Sequence, residues 1–211
     1  YLDYLRAIFH KAVRERIIGT NPFVYFHSKI KLTEVRKDYL LIDELERLVK
    51  TKCFRENVKF AFLFSCYTGL RLSDVKGLTW NDIAGNHINF KQKKTSSYEY
   101  LPLSDTANKI LNVYRKKTSE DFESKIFNLP SQQTVSVTLK QWTKNAGINK
   151  IITFHNARHT FATMALTSTV DIYTLSKLLG QKSTRPTQTY TKVVDLVKIE
   201  AVNKLPDIDI K

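Results

Sequence analysis

The chain has 211 residues, 42% of them hydrophobic, with 34 Lys and Arg against 20 Asp and Glu for a formal charge of +14. That length supports one large domain with an appendage, and so large a positive surplus favours a polyanionic partner, nucleic acid before membrane. The longest apolar run, Phe60 to Tyr67, is interrupted by Ser65 and is too short to span a bilayer, and no cleavable signal opens the chain, so the expectation is a soluble, cytoplasmic protein.

Residues 1–18 read as an amphipathic helix with a stripe of Leu5, Ile8, Phe9, Ala12, Val13 and Ile17, ended by Gly19, Thr20, Asn21 and Pro22. Because Tyr1 already lies inside that pattern, the chain reads as part of a longer protein. His27 to Asp38 is basic and weakly periodic; its Lys29, Lys31, Arg36 and Lys37 suit either a solvated loop or a linker along a phosphate backbone. Ile42 to Lys50 and Arg55 to Thr68 read as helices, the second apolar almost all round. Gly69 stops it, and Arg71 follows at the joint, ahead of a short periodic segment with Leu72, Asp74, Val75 and Leu78. An arginine there is either a surface charge or a fixed ligand-binding fork. Cys53 and Cys66 lack metal-ligand spacing and are expected as reduced, packing residues.

Between His87 and Leu103 the period changes to two. Ile88 and Phe90 alternate, as do Tyr98 and Tyr100, which predicts a hairpin whose turn carries Lys91, Lys93 and Lys94. Such a tip either probes a DNA groove or keeps an edge soluble. Asp105 to Lys117 reads as a helix, Ile126 and Phe127 as a short strand, and Val135, Leu139, Trp142 and Ala146 as a helix ending at Gly147.

Thr153 to Val193 carries the densest chemistry. Phe154, Ala157, Phe161, Met164 and Ala165 recur at helical spacing, so His155 and Arg158 are expected to share a polar face and to point at one anion. His155 falls in the first turn, where free N–H groups favour phosphate. A second helix is predicted from Asp171 to Leu179, closed by Gly180 with Gln181 just beyond, and a third near Pro186 carrying Tyr190. Val193 to Leu205 is again amphipathic. His155 and His159 are four apart, yet no third ligand stands in a zinc pattern, so no metal site is expected. Two arginines, a lysine, a histidine and a tyrosine can run phosphoryl transfer without metal. The phenol attacks, the guanidiniums hold the non-bridging oxygens, and the lysine protonates the departing oxygen.

The segments TGLRLSDVKGLTW (68–80), KKT (93–95), HNARHTFAT (155–163) and LLGQKSTRPTQTYTKV (178–193) resemble, in order and spacing, the signature boxes of the tyrosine recombinases, the phage-type integrases. The resemblance implies an α+β, mainly helical catalytic domain with a small antiparallel sheet or hairpin over 40–211, including a C-terminal tail helix. It further implies a linker at 27–39 and the end of a DNA-gripping core-binding domain at 1–26. It makes Arg71 the first catalytic arginine, Asp74 and His159 supporting residues, His155 and Arg158 the H-x-x-R pair, and Tyr190 the nucleophile. Lys94 is the implied general acid, with Lys93 and Lys91 close enough to keep that assignment open. Lys29, Lys31, Lys91, Lys93 and Lys182 are expected to contact DNA. No cofactor is implied, and neither metal nor ATP. The implied partners are double-stranded DNA recombination sites and three further copies in a homo-tetramer, with accessory DNA-bending proteins, in the nucleoid of a bacterium or its mobile elements. The family usually has His or Trp where this chain has Gln181, whose amide donates a hydrogen bond but is neither acid nor base. Two other readings are a type IB topoisomerase and a DNA-binding regulator that has lost turnover through Gln181.

Overall fold

In the computed structural model, which describes residues 2–24, 38–92, 98–117 and 124–181, the chain divides into two compact units, Tyr1–Arg36 and Lys37–Lys211. In the first, the amphipathic pattern forms helix α1, Leu2–Arg14, followed by a 3-10 turn at Pro22–Val24. The helix stops short of the expected residue 18 because Arg16 takes a left-handed φ of 58° and the Ile17 amide turns back to the Ala12 carbonyl at 2.9 Å. Phe9 and Phe23 pack with ring centroids 5.5 Å apart.

The second unit runs α2 (Ile42–Lys50), α3 (Glu56–Thr68), α4 (Leu72–Val75), β1 (Ile83–Ala84), β2 (His87–Lys91), β3 (Tyr98–Pro102), α5 (Asp105–Arg115), α6 (Gln132–Asn145), α7 (Phe154–Thr167) and α8 (Ile172–Leu178). From Phe60 on, helix α3 is apolar almost all round and is accordingly buried, with α5, α6 and α7 packed around the helix. Phe62 meets Trp142 of α6 and Phe154 of α7 edge-on, at centroid distances of 6.1 and 5.8 Å. The polar residues of α3 are satisfied locally: Ser65 Oγ donates to the Leu70 carbonyl at 2.6 Å, and Thr68 Oγ1 to that of Phe64 at 2.8 Å. Cys53 and Cys66 are buried free thiols, and burial pushes both upward, which suits packing rather than reactivity.

The three strands form one antiparallel sheet in the order β1-β2-β3, with His87 opposite Pro102 and Lys91 opposite Tyr98. The hairpin therefore lies where the alternation places it. Strand β1 is an addition; its sequence signal is the two-residue loop Gly85–Asn86, with Gly85 at φ 60°. The strand expected at Ile126 and Phe127 is instead a single antiparallel bridge between Thr79 and Lys125. Both Ile126 and Phe127 are buried, and two consecutive inward side chains do not fit a ladder whose faces alternate.

Helix α7 is tied to the segment before α2. The Leu40 amide donates to Thr160 Oγ1 at 2.9 Å, and Asn156 Nδ2 to the Asp38 carbonyl at 2.6 Å. Glu44 accepts the Leu41 amide at 2.8 Å and pairs with Lys150 at 2.6 Å. Among the described residues, no helix is long and apolar enough to cross a membrane.

Gly69 is a tight joint in this framework. It ends α3 at φ 70°, and a Cβ there would lie 2.7 Å from both Leu179 Cδ2 and Phe161 Cδ1, whereas Gly85 has a similar φ with nothing within 4 Å. Gly69→Ala is therefore expected to cost about 2–4 kcal/mol in urea unfolding, and Gly85→Ala about 1–2 kcal/mol. Equal losses at the two positions would contradict the packing explanation.

Candidate active site

Ending α3 at Gly69 places Arg71 at the start of α4, on extended backbone two residues beyond the turn. Its Nη1 stands 3.9 Å from Oδ2 of Asp74, a carboxylate whose side chain is only 1% exposed. That separation is a charge contact rather than a hydrogen bond. Arg71 Nη1 is itself buried and makes no hydrogen bond among the described residues. A cation held by a buried carboxylate, with donor capacity left over, is suited to an anion. Arg71 opens on a groove of about 650 Å³ that is lined also by Lys76, Gln132, Thr153 and His155.

His155 reaches that groove because of how α7 begins. Asn156 Oδ1 accepts both the Thr153 amide, at 2.7 Å, and the Thr153 hydroxyl, at 2.6 Å, closing the first turn. His155 is left exposed beside the helix N-terminus, where the dipole favours an anion. Its ring lies perpendicular to that of the buried His159, with centroids 4.7 Å apart.

Arg158 lies one turn on from His155. Spacing alone did not say that it is buried: that side of α7 packs on α3 and the end of α8. Its Nη1 donates to the Gly69 carbonyl at 2.9 Å and its Nη2 to the Leu179 carbonyl at 2.7 Å. Thus α7 presents one exposed and one interior group, and the interior one grips the ends of two helices.

Helix α8 is capped by Asp171, whose carboxylate accepts the Tyr173 and Thr174 amides, both at 2.9 Å. Hydrogen bonding from the Thr174 side chain, then from the backbone, holds this carboxyl below its usual range. The helix closes at Gly180, φ 56°, with the Gln181 amide donating to the Ser176 carbonyl at 2.9 Å. Gln181 is half-buried immediately beyond. Lys91, at the end of β2, is exposed with Nζ 5.6 Å from the Tyr98 ring centroid. Lys29, Lys31, Lys93, Lys94, Lys182 and Tyr190 lie outside the described residues, as do the helices expected near Pro186 and over Val193 to Leu205. Sequence reasoning missed Gln92, Glu99 and Lys177, which line a small cavity with Arg158 and Gly180. The available signal was Glu99, a charge on the inward register of an alternating strand.

Residues 38–196 match the phage integrase family. A tyrosine recombinase of Pseudothermotoga lettingae is 32% identical over 97% of this chain and 73% of its own length. The tyrosine recombinase XerD of Oceanobacillus iheyensis is 30% identical over 92% of this chain and 70% of its own. Among solved structures, the XerA recombinase crystal structure aligns with a TM-score of 0.66 at 23% identity, covering 97% of this chain and 75% of that one. A lambda integrase dimer bound to a COC′ core site aligns at 0.69 and 20%, covering 98% and 74%. With the family match spanning the groove of Arg71 and His155, the Arg158 grip and the α8 terminus, the chain belongs to the phage integrase family, the tyrosine recombinases, which cleave and rejoin DNA.

Proposed function

We propose that the chain is a site-specific DNA recombinase working through a 3′-phosphotyrosine on Tyr190. The observation that carries this reading is the arrangement around the α3–α4 joint: Arg71 and His155 on one open groove, with Arg158 anchored to Gly69 two residues away. In the first step the Tyr190 phenol oxygen attacks the scissile phosphorus. Its proton passes to His155, the phosphorus–O5′ bond breaks, and the leaving oxygen takes a proton from the hairpin lysine, Lys94, with Lys93 and Lys91 as the other candidates. Arg71 and Arg158 stabilise the charge on the non-bridging oxygens, and Gln181 adds a neutral donor. Asp74 keeps Arg71 in place, and His159 supports His155. The 5′-hydroxyl of a second strand then attacks the phosphotyrosine and reverses the proton transfers. Because the phosphoester energy is kept in the covalent intermediate, exchange needs no nucleotide co-substrate.

The charge of +14 supports this reading, since a polyanion is gripped through many phosphates at once. In the proposed assembly, four copies hold two duplex recombination sites, with accessory DNA-bending proteins, in the bacterial nucleoid. Residues 1–26 supply the end of a core-binding domain, 27–39 the linker and 40–211 the catalytic domain with its tail helix. Lys29, Lys31, Lys91, Lys93 and Lys182 contact the DNA backbone.

Covalent capture tests the proposal: the chain is incubated with supercoiled and nicked DNA in EDTA, denatured, and examined for a protein–DNA adduct. Wild type is expected to form one, and Tyr190→Phe none while still binding DNA. An adduct of equal yield from Tyr190→Phe removes the nucleophile assignment. Gln181→Ala is expected to slow single-turnover attachment about 100-fold, the usual cost of deleting one donor to a charged transition state. Gln181→His keeps a donor and should stay within about tenfold of wild type. If only Gln181→His forms an adduct, the natural chain is a DNA-binding protein without turnover.

A further inference from the structure

The hairpin meets the end of α8 through groups that a buried sheet face does not ordinarily carry. Glu99 stands opposite Phe90 in the β2–β3 register. Its face is the inward one, on which Ile88, Phe90 and Leu101 are 0%, 7% and 4% exposed. Alternation calls for an apolar residue at 99, yet a half-buried carboxylate occupies it. Gln92, the residue after β2, is 3% exposed. Glu99 and Gln92 line a cavity of about 10 Å³ together with Gly180, Arg158 and Lys177. That volume admits at most one water, so hairpin and helix end meet directly. The side chain missing from Gly180 is what allows the approach: a Cβ there would collide with Gln92 Nε2 and lie 3.3 Å from Glu99 Cδ. Among the described residues lining the cavity, Glu99 is the one carboxylate, and Arg158 and Lys177 are the cations. An acid is kept in such a place where nearby cations offset its desolvation.

We propose that Glu99, assisted by Gln92, is a positioning residue that docks the β2–β3 hairpin on the Gly180 end of α8, setting the hairpin lysine at the leaving oxygen in register with Arg158 and Gln181. Lys93 and Lys94 directly follow Gln92 in the sequence, and Glu99 lies one residue into the next strand, so both ends of the lysine-bearing turn begin at this contact. The consequence is large because proton donation depends on placement to within about 1 Å, an error of that size costing about 100-fold. This inference rests on the reading of a hairpin lysine as the general acid.

Sulfur substitution at the leaving atom tests it. A duplex is recovered from a random-sequence pool by covalent capture on the wild-type chain, then synthesised with oxygen or sulfur at the bridging 5′ position of the scissile phosphate. A thiolate, with a parent pKa of about 8.5, leaves without the proton that an alkoxide requires. Glu99→Leu is expected to slow single-turnover attachment on the oxygen duplex about 100-fold and to come within about threefold of wild type on the sulfur duplex. Glu99→Gln, which keeps shape and hydrogen bonding, should lose about tenfold and be restored likewise; it decides the matter if the leucine variant does not fold. The same loss on both duplexes, or no loss on either, overturns the positioning role. Lys91→Ala, Lys93→Ala and Lys94→Ala run alongside, and one of them must show the oxygen-specific defect. If none does, the general-acid reading falls by itself, and failure to capture any duplex overturns the phosphotyrosine reading.

Discussion

The second unit depends on one buried guanidinium. Arg158 is 5% exposed, and an uncompensated cation there would cost several kcal/mol. It is offset by the Gly69 carbonyl at the end of α3 and the Leu179 carbonyl at the end of α8. Helix C-termini are where unpaired carbonyls and the negative dipole end collect, so the cation answers two helices at once. The arrangement explains why Gly69 admits no side chain: Leu179 and Phe161 close over it as α8 approaches. It also sets the position of Arg71, two residues beyond the gripped carbonyl.

The two arginines therefore divide the work differently. Arg158 is fixed in the interior by backbone acceptors, the Gly69 and Leu179 carbonyls. Arg71 is held at the groove by a charge contact with the buried Asp74, with a nitrogen that makes no hydrogen bond among the described residues. In the proposed mechanism, both arginines are in place before the phosphate arrives. Preorganisation of this kind is what makes electrostatic stabilisation of a transition state effective.

Much of this was legible in the sequence. Helices α2, α3, α6 and α7 follow from apolar spacing and from Gly69 and Gly147, and the hairpin from its period of two. The placement of Arg158 was not legible, because helical spacing distinguishes polar from apolar but not exposed polar from buried polar. Asn156, Arg158, His159 and Thr160 are polar yet interior, and tertiary partners such as the Asp38 and Gly69 carbonyls make the burial of Asn156 and Arg158 tolerable. The bridge at Lys125 was read as a strand because two adjacent apolar residues look alike in a ladder and in a loop pressed on a core. Strand β1, two residues long, leaves only its Gly85–Asn86 turn as a trace. The approach of Glu99 to Gly180 needed the fold, since the two are far apart in the chain and Glu99 belongs to no signature box.

The most direct measurement of the account is amide hydrogen exchange on Arg158→Lys beside wild type. A lysine keeps the charge but is a point donor, not a fork spanning two carbonyls. The amides of Gly69, Gly180 and Gln181, which close the ends of α3 and α8, are expected to exchange at least about tenfold faster, both ends together, with Phe62 to Phe64 unchanged. Loosening at one end alone, or protection identical to wild type at both, would contradict the claim that this guanidinium holds the site together.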